Sequence, residues 1–95
     1  MTVYIVAEIE VTDPDAYEKY KALAPATIEQ YGGRYLARGG EVTPHEGDWT
    51  PERIVILEFP SRDAAQRWGA SPEYAPVVAI RHAASESRSI IVEGV

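Results

Sequence analysis

The sequence contains no cysteine, which excludes disulfide staples and thiolate chemistry. Positive charge is scarce: 9 Lys and Arg against 15 Asp and Glu leave a net charge of −6. Such a chain repels phosphate backbones and anionic membranes, so neither nucleic acid nor a membrane is an expected partner. No window of ~18 consecutive apolar residues occurs, so no membrane-spanning helix is expected. The opening residues, MTVYIVAEIEV, lack a basic region and a small-residue cleavage site and do not read as a secretion signal. A cytoplasmic location is the resulting expectation. Repeats, low-complexity tracts and linkers are also missing, and residues 1–95 are expected to form one domain. A chain this short buries about 60–65% of its unfolded surface, so its core is thin.

What is present follows a fixed order. Residues 3–11 alternate, with Val3, Ile5, Ala7, Ile9 and Val11 in one row and Tyr4, Val6, Glu8 and Glu10 in the other, which predicts a strand. Asp13 is placed to cap a helix whose first position suits Pro14. Tyr17, Tyr20, Ala24, Ile28 and Tyr31 form one stripe along it, Pro25 is expected to kink it, and Gly32 suits a left-handed cap at its end. RYLAR (34–38) reads as a short strand between two glycine pairs, Gly32-Gly33 and Gly39-Gly40. An irregular loop, EVTPHEGDWTPE, leads to a strand over 53–59. Ser61 caps a helix over SRDAAQRW, Ser71-Pro72-Glu73-Tyr74 opens another through about Arg81, and SRSIIVEGV closes the chain as a strand.

The order β-α-β-β-α-β predicts an α+β, ferredoxin-like sandwich: four antiparallel strands with helices on one face. The other face is left bare. Tyr4, Val6, Ile54 and Ile56 make it partly apolar, and a second copy of the chain is the expected cover. Two sheets facing each other would form a dimeric barrel.

Several segments resemble one known family. They are Val11-Thr12-Asp13-Pro14 with Tyr17 and Tyr20, Leu36-Ala37-Arg38-Gly39-Gly40, Glu46-Gly47-Asp48-Trp49, Glu58-Phe59-Pro60-Ser61, Ser71-Pro72-Glu73-Tyr74 and Val92-Glu93-Gly94. They occur in the order of the domain of unknown function 1330 family, within the dimeric α+β barrel superfamily, and span nearly the whole chain. The resemblance implies the fold and a homodimer. It implies no activity, since relatives in the superfamily include cofactor-independent monooxygenases, lactone isomerases, haem-handling enzymes and non-catalytic ligand sensors.

Candidate chemistry is expected on the bare face. If Arg38 shares it with Glu8 and Glu58, a small charged cluster lies beside an apolar cleft. An arginine fork holds a carboxylate or enolate bidentately. A carboxylate in such a cleft moves protons, which makes Glu58 the candidate catalytic base. The same residues also read as a structural ion pair. Arg53 is a weaker candidate, expected to pair with Glu52 or Glu46. The second glycine pair is expected to let the following loop fold over the cleft. GGRYLARGG is not a phosphate loop, because it lacks the GK[ST] ending. Trp49 on that loop reads as an anchor or as a lid on a bound ligand. Tyr74 is a further candidate ligand contact, Trp68 a core residue. HEGD, with His45, Glu46 and Asp48, is a weak metal signal, and no metal is expected. Arg81 and His82 complement the macrodipole at a helix end. Haem is not expected either, since haem degraders of the superfamily use an asparagine and this chain has none.

Three functions fit. The first is an enzyme without metal or organic cofactor, performing proton transfer or oxygenation on an acidic or phenolic small molecule. The second is a non-catalytic ligand-binding dimer. The third is a purely structural dimer, and charged residues on an interior face argue against it.

Overall fold

A computed structural model describes residues 1–95. The elements are β1 (Val3–Val11), α1 (Pro14–Gln30), β2 (Arg34–Arg38), β3 (Arg53–Phe59), α2 (Arg62–Gly69), α3 (Ala75–Ala84) and β4 (Ser85–Glu93). The strands form one antiparallel sheet in the order β2-β3-β1-β4, which is the ferredoxin-like arrangement.

Local chemistry sets the boundaries. The Asp13 carboxylate accepts the Ala16 N–H at 3.2 Å, and Pro14 occupies the first turn of α1. At the other end the Gly32 N–H donates to the Glu29 carbonyl and the Gly33 N–H to the Ile28 carbonyl. This double bond set requires a left-handed residue, and Gly32 supplies it with φ of +82°. Pro25 lies inside α1, which runs through it from residue 14 to residue 30. Ser61 caps α2 through the Ala64 N–H. The Ser71 hydroxyl donates to the Trp68 carbonyl and accepts the Tyr74 N–H, which fixes the turn between α2 and α3.

The core lies between the sheet and the helices. Val3, Ala7 and Ile9 of β1 and Val55, Leu57 and Phe59 of β3 are buried against Tyr20, Ala24, Ile28, Trp68 and Val77 of the helices. The opposite face carries Tyr4, Val6, Ile54, Ile56, Ile90 and Val92, with Ile90 63% and Val92 45% exposed.

One irregularity decides where the candidate residues point. Arg34 pairs with Glu58 and Tyr35 with Leu57, but Ala37 pairs with Ile56 and Arg38 with Val55. A bulge at Leu36 therefore inserts one residue into β2. Side chains beyond a bulge change face. Arg38 turns to the helix side, and the expected cluster with Glu8 and Glu58 does not form.

Candidate functional site

The helix side of the sheet holds a cavity of about 380 Å3. Its floor is Ile5, Ala7 and Ile9 of β1 with Val55 and Leu57 of β3, and its walls include Tyr17, Tyr20, Trp68 and Tyr74. This size and lining suit one small organic ligand. A second hollow of about 540 Å3 is lined by Glu8, Glu10, Glu52 and Glu86 with Ile9 as its one apolar residue, so it lacks the walls an organic ligand needs.

The aromatic wall is held in place. The Trp68 indole packs 4.1 Å from the Tyr74 ring, centroid to centroid, and donates its N–H to the Thr27 hydroxyl at 3.1 Å. The Tyr20 and Tyr74 hydroxyls lie 2.6 Å apart in a buried hydrogen bond. Burial pushes the Tyr20 phenol far above the ordinary tyrosine range, and Tyr74 adds to the effect. Burial also raises Tyr35. These phenols are therefore neutral hydrogen-bonding groups at physiological pH.

The cations are the unusual feature. Lys21, Arg38, Arg53, Arg81 and His82 line the cavity, and no Asp or Glu does. The chain has seven arginines. Four of them, Arg34, Arg62, Arg67 and Arg88, make ion pairs with carboxylates. The other three are the ones in the cavity. Arg53 extends its guanidinium over the Tyr17 ring, 5.3 Å from the centroid, and its buried Nε–H has no acceptor. Arg81 donates to the Ser87 hydroxyl at 2.6 Å, yet its own buried Nε–H also has none. Arg38 donates to the Lys21 carbonyl and stacks 4.6 Å from the centroid of the Tyr35 ring. Gly39 makes room for Arg53: its φ of +70° disfavours a side chain, and a Cβ there would lie against the Arg53 guanidinium where it now sits.

The charge is concentrated at one end. Arg53 and Ser87, the residue that accepts from Arg81, both pair with Ile9 across the sheet. Ile5, Leu57 and Ile91 form the apolar row four residues along β1, about 13 Å away at strand rise. The cavity thus grades from apolar to cationic along its length.

The candidate residues divide between two faces. Arg38 and Tyr74 meet in this cavity. Glu8, Trp49 and Glu58 lie on the opposite face and do not join them. Glu8 accepts from Arg88 at 2.6 Å and from the Trp49 indole at 3.1 Å, and these bonds hold its carboxyl below the ordinary glutamate range. Trp49, 54% exposed, thus ties its loop to the open face rather than roofing the cavity. Glu58 is held by both sides of the Arg34 fork, at 3.1 and 3.4 Å. Its assignment as base beside Arg38 is corrected by the bulge, which puts the two on opposite faces. Arg53 pairs with neither Glu52 nor Glu46, because its place in the row Arg53-Val55-Leu57-Phe59 turns it inward. That row is readable from alternation alone. Arg81 is readable too, on the helical stripe Val77-Arg81-Ala84. His45, Glu46 and Asp48 remain exposed, and no group of three or more His, Asp or Glu residues could hold a metal ion.

A family model described as "Domain of unknown function (DUF1330)" matches residues 2–95. The chain belongs to the DUF1330 family. No match to a curated protein was found. Among solved structures, the fold of this DUF1330 chain recurs in RPA0582, a protein of unknown function from Rhodopseudomonas palustris, with TM-score 0.79 and 20% identity over 99% of this chain and 82% of that one. A dimeric ferredoxin-like protein of unknown function from Jannaschia sp. CCS1 superposes with TM-score 0.75 and 12% identity, over 99% of this chain and all of that one. SnoaB, a cofactor-independent oxygenase from Streptomyces nogalater, gives TM-score 0.68 and 20% identity over 98% of this chain and 92% of that one. At these identities the likeness is one of fold.

Proposed function

We propose that this DUF1330 protein is a cofactor-independent enzyme that performs proton transfer or oxygenation on a small aromatic or phenolic acid bound between sheet and helices. One observation carries the reading: the three arginines without carboxylate partners all face one apolar, aromatic-walled cavity, in a chain of net charge −6. Arg53 and Arg81 are half-buried, and each buries an Nε–H that meets no acceptor, so donors left open there fit an anionic ligand that completes them. Arginine forks and neutral phenols stabilise a carboxylate, enolate or phenolate more than its protonated form, and this lowers the barrier to deprotonation. His82 lines the cavity as the available proton acceptor. The description of SnoaB as a cofactor-independent oxygenase supports the oxygenase branch by analogy of fold.

Homodimerisation belongs to the same proposal. The open face presents Ile54, Ile56, Ile90 and Val92, and a second sheet would cover them. The absence of a carboxylate in the cavity favours one alternative, a dimer that binds such an acid without changing it. The test is incubation with a panel of hydroxylated benzoates in aerated buffer containing chelator, followed by mass spectrometry. A quinone, formed as the ring takes one oxygen atom of O2 and gives up the two electrons and two protons that turn the other into water, or, in deuterated buffer, an acid that has taken up deuterium on carbon, is the expected result. Binding without chemical change would make the protein a ligand carrier or sensor, and neither binding nor change would remove the reading.

A further inference from the structure

The third cavity arginine reaches its position through a proline. In an α-helix the N–H of residue 25 would donate to the carbonyl of residue 21. Pro25 has no N–H to give that carbonyl. Lys21 therefore offers a carbonyl without a helical donor inside an unbroken helix, open to a side-chain donor. Arg38 donates its Nη2 to that oxygen.

We propose that Pro25 creates the anchor that positions Arg38 at the cavity mouth. Two elements hold the guanidinium: the Lys21 carbonyl of α1 on one edge and the Tyr35 ring of β2 on one face. Its remaining donors meet no carboxylate. The bulge at Leu36 is the second requirement, since it alone brings Arg38 to this side of the sheet. A fork fixed in advance loses less side-chain freedom when it takes an anion. That consequence for a ligand rests on the proposed function, whereas the anchor is testable without any ligand.

The decisive experiment combines Pro25→Ala with Arg38→Ala in the full chain. Arg38→Ala is expected to lower Tm by about 4–8 °C in the Pro25 protein and by less than ~2 °C in the Pro25→Ala protein, where the restored N–H already fills the Lys21 carbonyl. Should Pro25→Ala disturb α1, Pro25→Ser supplies the same N–H. Nitrogen NMR of labelled arginine reads the positioning directly. Separate signals for the two Arg38 Nη groups, from hindered rotation, are expected in the unaltered protein, and one averaged signal in the Pro25→Ala protein. Equal Tm losses in both backgrounds, or identical Arg38 signals in both, would overturn the anchor. Benzoate titration serves as the separate arm: failure of benzoate to bind the unaltered protein counts against the proposed function, and the Tm and NMR results still decide the anchor.

Discussion

The two faces of this sheet treat charge in opposite ways. On the open face two carboxylates are held by donors: Glu8 accepts from Arg88 and Trp49, and Glu58 pairs with Arg34. On the helix face Arg38, Arg53 and Arg81 have none. A satisfied pair in partial contact with water contributes little and asks for nothing more. The buried Nε–H groups of Arg53 and Arg81 have no acceptor and ask for an external partner. The comparison therefore separates residues that complete the fold from residues that await a ligand.

The strongest way to break the comparison is through the tryptophans, one on each face. Trp68→Ala removes a buried wall, although the Thr27 hydroxyl keeps its bond to the Ala24 carbonyl, and urea unfolding should register a loss of about 3–5 kcal/mol. Trp49→Ala on the open face should cost less than about 1 kcal/mol. Comparable losses would mean that the loop carrying Trp49 is part of the core.

The arginines sharpen it next. Arg53→Gln should weaken benzoate binding about tenfold or more in calorimetry, as expected when one charged donor to a buried anion is lost. Arg34→Gln on the open face should change affinity by less than about twofold, because a surface pair contributes under ~1 kcal/mol. A charge placed among the open-face side chains, Ile90→Arg, should instead shift sedimentation from dimer to monomer.

The pH dependences are the smallest effects and differ in sign between the faces. The folded protein holds Glu8 below its ordinary value of 4.5, so its contribution is complete above that pH and is lost as pH falls through the lowered value. Acid unfolding should therefore be shallower in Glu8→Gln than in the unaltered chain. Tyr20 is displaced upward from its ordinary value of 10, so its contribution is complete below pH 10 and declines as pH rises past it. Ultraviolet titration should find Tyr20 and Tyr35 still protonated after the exposed phenols have ionised. Coincident ionisation of all the phenols in the folded protein would contradict their burial.

Much of this is legible in the sequence. Alternation in residues 3–11 and 53–59, the caps at Asp13 and Ser61 and the glycine after Tyr31 are local rules, and each element forms where those rules place it. Tyr74 and Arg38 both read as candidate contacts, and both line the cavity. Grouping Arg38 with Glu8 and Glu58 fails for one reason. A bulge is a property of how two strands pair, and RYLAR alone does not encode which of its residues is unpaired. The alternation that turns Arg53 inward is present in RIVILEF, but a cation at the head of a core-facing row reads equally as a strand-end surface residue. The link from Pro25 to Arg38 joins a helix to a strand across 13 residues of sequence and needs the assembled fold to be seen.

The most direct measurement uses the two tryptophans as reporters of the two faces. Benzoate is titrated into Trp49→Phe, whose emission comes from Trp68 in the cavity, and into Trp68→Phe, whose emission comes from Trp49 on the open face. A saturable change in Trp68 emission with no change in Trp49 is the expected result, and it would place the acid between sheet and helices. A saturable change in Trp49 alone would put the ligand on the open face and contradict the helix-side site.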